Sequence, residues 1–127
     1  MTLLNSKSVF VVDDDPAMLK GVQRLLKVHG FNTELFDSVE AVCSRANMDD
    51  AFCVVLDINL NGKSGIELRD RMTSGGDALP VIYITANDDD AIRKAAIESG
   101  CIAYLTKPFS ARALIDPILQ VLSRLPS

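Results

Sequence analysis

Short apolar runs rich in β-branched residues alternate along this chain with stretches whose apolar positions recur at helical spacing, and few folds accommodate that rhythm. Val9-Phe10-Val11-Val12 opens the series and ends in Asp13-Asp14-Asp15. Pro16 suits the first position of a helix, with Asp15 as its N-cap. Met18, Val22, Leu25 and Leu26 mark that helix, and Gly30 closes it. Thr33 to Phe36 reads as a short second strand. Ser38 caps a helix whose apolar positions are Val39, Val42, Cys43 and Ala46. Phe52 to Leu56 is the third strand, followed by a weaker helix from about Ser64 to Met72 and a Ser74-Gly75-Gly76-Asp77 loop. Leu79 to Ile84, ending at Thr85, is the fourth strand. Ala91, Ile92, Ala95, Ala96 and Ser99 mark the next helix, closed by Gly100. Ile102 to Leu105 is the fifth strand, and Leu114, Ile118, Val121, Leu122 and Leu125 mark the last helix. Five βα units predict a parallel sheet with helices on both faces. The first, third and fourth strands are apolar throughout and are expected to be buried on both sides. The predicted fold class is α/β, a doubly wound three-layer sandwich.

Composition narrows what such a fold can do. At 127 residues, with 48% hydrophobic and 24% charged residues, the chain is expected to form one domain, 1–127, with its core at about 7–125. A net charge of −4 argues against a nucleic-acid-binding surface. No apolar run is long enough to span a bilayer. The opening MTLLNSKSVFVVDDD lacks a signal peptide's shape, because Asn5, Ser6 and Lys7 break its apolar stretch and three acids end it. Cys43, Cys53 and Cys101 form no C-x-x-C pair, and with His29 the single histidine a zinc site is disfavoured. Each cysteine is expected to fill core or near-core space as a reduced thiol, in a cytoplasmic protein.

In a parallel sheet all strands end on the same edge. Asp13 and Asp14 follow strand 1, Asp57 follows strand 3, Thr85 strand 4 and Lys107 strand 5. With strand order 2-1-3-4-5, strands 1 and 3 flank the switch point where open α/β sheets hold their ligands. Taken singly, each residue has an ordinary explanation. Asp13 to Asp15 suit a helix cap and its dipole, Thr85 can merely end a strand, and Lys107 can be solvated. Together they are harder to dismiss. Three converging carboxylates raise one another's pKa, and a divalent cation relieves that repulsion. Carboxylates, a carbonyl and several waters suit magnesium. A lysine and a hydroxyl beside a metal-bound carboxylate suit a phosphoryl group. DINLNG, residues 57–62, also fits the opening of an EF-hand calcium loop. That loop needs a bidentate Glu at its twelfth position, where this chain has Leu68, and it should follow a helix rather than a strand.

The segments VFVVDDDP, VVLDINLNGKSG, VIYITA and AYLTKPF, at these separations, resemble the receiver domain of bacterial two-component response regulators over essentially the whole chain. That resemblance implies a flavodoxin-like fold with Asp57 as phosphoacceptor, a carboxylate nucleophile forming an acyl phosphate. It implies Mg2+ (or Mn2+) held by Asp13, Asp14, Asp57 and the backbone carbonyl of Asn59. Lys107 would pair with one phosphoryl oxygen and the Thr85 hydroxyl with another. Tyr104 matches the switch aromatic that turns inward when Thr85 moves, and Pro108 is expected to follow a cis peptide. Asn59 and Asn87 would flank the path of a hydrolytic water. The implied partner is a sensor histidine kinase or histidine phosphotransfer protein, whose phosphohistidine supplies the group. Magnesium and Lys107 would stabilise charge on it in flight. The downstream target is unspecified, and a monomer or weak dimer is expected.

Three features depart from the family or invite another reading. Asn61 stands where the family usually has proline, and Gly65 where it expects glycine. Pro117 falls inside the last helix and is expected to kink it or delay its start. It lies on the helix 4–strand 5–helix 5 face that receivers use for output. Asp88-Asp89-Asp90 reads as compensation of a helix N-terminus. A haloacid-dehalogenase-like phosphatase also uses an Asp nucleophile and magnesium, but it needs an acid two residues on, where Asp57 has Asn59. Asp13 has Asp15 at that spacing, with Pro16 and the short chain fitting poorly. A non-phosphorylated pseudo-receiver would not need the full acidic and Lys/Thr set, and an FMN-binding flavodoxin would need a Ser/Thr/Gly loop after strand 1.

Overall fold

The computed structural model describes residues 7–45, 47–60, 62–74 and 77–124. Of the positions singled out above, Asn5, Ser6, Ala46, Asn61, Gly75, Gly76 and Leu125 lie outside them. Among the described residues, five main strands and five helices alternate, with two short antiparallel pairs in the loops: β1 Ser8–Val12, α1 Pro16–Val28, β2 Thr33–Phe36, α2 Val39–Arg45, β3 Ala51–Asp57, α3 Gly65–Arg69, β4 Val81–Thr85, α4 Asp90–Glu98, β5 Ala103–Thr106 and α5 Ala111–Arg124. The strands form one parallel sheet in the order β2-β1-β3-β4-β5.

The two-residue period of the strands builds two cores. Phe10, Val12, Val54, Leu56, Val81 and Tyr83 face α2, α3 and α4. Val9, Val11, Cys53, Val55, Ile82 and Ile84 face α1 and α5. All of β1 beyond Ser8, and all of β3 and β4, is buried, which explains their unbroken apolar sequence. Edge strand β5 is only half-buried.

Local chemistry sets the helix ends. Asp15 accepts from the Ala17 amide at 3.0 Å ahead of Pro16, and Ser64 accepts from Ile66 at 3.2 Å. Ser38 accepts from Ala41 at 3.1 Å. Gly30 and Gly100 end α1 and α4 with φ of 85° and 86°. The far end of α4 is also held from outside: Arg69 of α3 donates to the Ser99 carbonyl at 2.6 Å and to the Gly100 carbonyl at 3.3 Å. The Tyr83 hydroxyl meets Ser99 Oγ at 3.1 Å.

Several expectations from periodicity are corrected. Cys43 is exposed, not near-core. In a seven-residue surface helix the buried stripe is narrow, and Val39 with Val42 fills it. Of the face expected for α4, Ala96 is buried while Ala91 and Ala95 are exposed. Leu19, not singled out above, joins Val22 and Leu26 in the buried face of α1. The helix expected to reach Met72 ends at Arg69, because Arg71 and Met72 turn back to Leu68 and Arg69 in tighter three-residue bonds. Thr73–Ser74 pairs antiparallel with Asp77–Ala78 where a plain loop is expected. Strand β4 ends at Thr85 as expected but starts only after Pro80, and β5 is shifted by one residue toward the C-terminus. Pro117 sits inside the continuous α5 without delaying its start, and leaves the Ala113 carbonyl without its usual helical donor.

Candidate functional site

Register brings the rim residues together. Val12 lies beside Leu56, so Asp13 and Asp57 emerge side by side. Thr85 pairs with Thr106, placing Lys107 just beyond. Strand parity then sorts them. Asp57, two residues after Val55, shares the α1/α5 face, and so do Asp13 after Val11 and Lys107 after Leu105. Thr85, two residues after Tyr83, shares the α4 face with Tyr104.

The first group is already in contact. Asp13 is fully buried, Asp57 is 7% exposed and Asp14 is exposed. One carboxylate oxygen from each lies within 4.8 Å of the others. Lys107 Nζ is 3.2 Å from Asp13 Oδ2 and 3.7 Å from Asp57 Oδ2. Asp13 Oδ1 accepts from the Asp15 amide at 2.9 Å, and Asp57 Oδ1 from the Asn59 amide at 3.0 Å. Burial pushes the Asp57 carboxyl up to about 6; the Asn59 amide and Lys107 pull it down, and Asp13 pushes it further up. One ammonium facing three carboxylates leaves an excess of negative charge on hard oxygen donors. That donor set fits a hard divalent cation.

Gly65 forms the floor beneath Asp57. Its amide donates to the Ile58 carbonyl at 2.6 Å. A Cβ here would collide with the Asp57 carbonyl oxygen and lie 3.1 Å from Ile58 Cα. Leu68, at the position where an EF-hand needs its glutamate, is buried in the core, so the calcium-loop reading fails on structure as well.

The second group is engaged elsewhere. Thr85 is 4% exposed, and its hydroxyl donates to the Asn87 carbonyl and accepts from the Asn87 amide, both at 3.1 Å. Tyr104 is half-buried and donates its hydroxyl to Asp88 Oδ1 at 3.3 Å. Burial, then the Asp88 charge, raises the pKa of that hydroxyl. The Lys107–Pro108 peptide is cis, and the Lys107 amide donates to the Thr85 carbonyl at 2.8 Å. A cleft of about 460 Å³ opens beside this group, lined by Asn59, Thr85, Asn87, Ile66 and Ile92 among others.

Sequence reasoning missed one participant. Asp89 alone caps α4, accepting from Ala91 at 2.8 Å and Ile92 at 3.2 Å. Asp88 instead accepts from Tyr104 and Arg93. No helical spacing signals that pairing, because Asp88 precedes the helix.

A carboxylate cluster with a lysine and a buried hydroxyl thus sits at the switch point of a doubly wound parallel sheet, where open α/β proteins hold their ligands. Residues 9–119 match the response regulator receiver domain, and the chain belongs to that family. It is 35% identical over 120 residues to the response regulator MprA of Mycobacterium bovis, covering 94% of this chain and 52% of that protein. It is 27% identical over 118 residues to the response regulator protein TodT of Pseudomonas putida, covering 93% and 52%. A solved response regulator receiver protein from Burkholderia phymatum superposes with a TM-score of 0.77 at 37% identity, covering 92% of this chain and 95% of that one. The chain thus spans about half the length of the curated relatives it matches.

Proposed function

We propose that this domain, residues 1–127 acting as one unit, accepts a phosphoryl group on Asp57 from a phosphohistidine of a sensor histidine kinase or histidine phosphotransfer protein. An Asp57 carboxylate oxygen attacks phosphorus, the phosphorus–nitrogen bond breaks, and the electron pair returns to the donor imidazole. Asp13, Asp14, Asp57 and the Asn59 carbonyl would hold Mg2+ or Mn2+. When bound, such an ion neutralises charge on the acceptor and on the transferring group. Lys107 receives one phosphoryl oxygen and Thr85 another, with Asn59 and Asn87 beside the hydrolytic approach. Tyr104 moves inward as Thr85 leaves its turn. The domain is then a signalling phosphoacceptor rather than a turnover enzyme, cytoplasmic, monomeric or weakly dimeric, with its output delivered through the α4–β5–α5 face.

The observation that carries this reading is the meeting of three carboxylates within 4.8 Å with Lys107 Nζ at 3.2 and 3.7 Å from two of them. Incubation with Mg2+ and acetyl phosphate, followed by intact mass, tests it. A gain of one phosphoryl group is expected. Absence of any gain with every donor tried, or an undiminished gain in Asp57→Asn, overturns it.

A further inference from the structure

The two switch residues meet through one loop. Asn87 holds the Thr85 hydroxyl through two 3.1 Å bonds. The next residue, Asp88, accepts from the Tyr104 hydroxyl at 3.3 Å and from Arg93 through Nε at 3.3 Å and through Nη2. Arg93 in turn lies over the Tyr104 ring, its guanidinium carbon 5.4 Å from the centroid. Tyr104 is therefore held at its tip and on one face by a single ion pair. That pair is one peptide bond away from the turn that holds Thr85.

We propose that Asp88 and Arg93 are positioning residues that latch Tyr104 in its present place, and that this latch sets how much phosphoryl ligand is needed to switch the domain. The inference rests on the phosphoacceptor reading of Asp57. Thr85 cannot reach a phosphoryl oxygen while both its bonds go to Asn87. Drawing it out rearranges the turn on which Asp88 sits and removes the acceptor from the Tyr104 hydroxyl. Interactions present only before the switch subtract from the ligand's preference for the switched state. The side chains of Arg93 and Asp88 are 48% and 43% exposed, so the latch is modest and screened by salt.

The test titrates beryllofluoride, a stable phosphoryl mimic, at fixed Mg2+ and follows the ring signals of labelled tyrosine. The chain has two tyrosines, and buried Tyr83 serves as the internal reference for Tyr104. Arg93→Gln and Asp88→Ala are expected to lower the half-saturating ligand concentration about two- to fivefold. Arg93→Lys, which keeps the charge, should recover part of the shift. In about 0.5 M sodium chloride the wild type should move toward the variants while they stay in place. Equal midpoints in wild type and variants, or a difference that ignores salt, overturns the latch. If the wild type gains no phosphoryl mass from acetyl phosphate, the acceptor reading fails and the latch falls with it. If it gains the mass but the midpoints coincide, the latch alone fails.

Discussion

The two faces of the sheet contribute unlike halves to one rim. From the α1/α5 face, Asp13, Asp57 and Lys107 arrive already within ion-pair distance. From the α4 face, Thr85 and Tyr104 arrive turned toward Asn87 and Asp88. One half is already assembled, and on the proposed reading the other is rebuilt when the phosphoryl group arrives. Preorganised charge lowers a barrier because nothing reorganises at the moment of reaction. An element with two arrangements carries a signal because a ligand can favour one of them. On the proposed reading, chemistry and signalling would occupy opposite faces of one sheet, sorted by strand parity.

That contrast predicts graded consequences. Asp57→Asn should abolish phosphoryl uptake entirely, as read by intact mass; uptake at another residue would dissolve the division. Lys107→Ala should slow labelling by acetyl phosphate about 100-fold. Cation binding should hold or strengthen in this variant, because a competing ammonium is gone; a parallel fall in Mg2+ affinity would mean that Lys107 shapes the whole site.

A pH titration probes the same half. Burial raises the Asp57 pKa to about 6, so the fold prefers its neutral form. The stabilisation is complete below the unfolded value of about 3.9 and is lost as pH rises through about 6. In urea unfolding without metal, wild type should weaken relative to Asp57→Asn between pH 4 and pH 8 by on the order of 2 kcal/mol. Mg2+ should narrow that gap, since it binds only the folded carboxylates. A gap indifferent to pH would place the strain elsewhere. Smallest of all, Tyr104→Phe should leave the labelling rate within about twofold and stability within about 0.5 kcal/mol, consistent with an exposed hydrogen bond. A large fall in labelling would show that the second half also serves chemistry.

The strands and the rim were legible because their signals are local and unopposed. Val9 to Val12 and Phe52 to Leu56 are apolar at every position, and such runs admit little besides a buried strand. Asp57 and Thr85 end their strands and Asp13 and Lys107 lie just beyond theirs, so the sheet alone assigns them to one edge. Helix faces were read less well. Cys43 and Ala95 are apolar at plausible spacing, yet small side chains on outward positions carry little penalty, and only packing distinguishes them. The role of Asp88 was hidden for a different reason. It depends on Tyr104, sixteen residues away on β5. A run of three aspartates before a helix gives no sign of which one the helix leaves free.

Arg69 gives α4 a fulcrum. With the carbonyls of Ser99 and Gly100 tied to α3, the far end of the helix is the fixed point. Nine residues separate that anchor from the Asp88 loop, a lever of about 13 Å. A tilt of only about 5° about the anchor carries the near end through about 1 Å, on the scale of a hydrogen bond made or broken. Any tilt about that anchor would be largest at the rim and fall away toward the end that α3 grips.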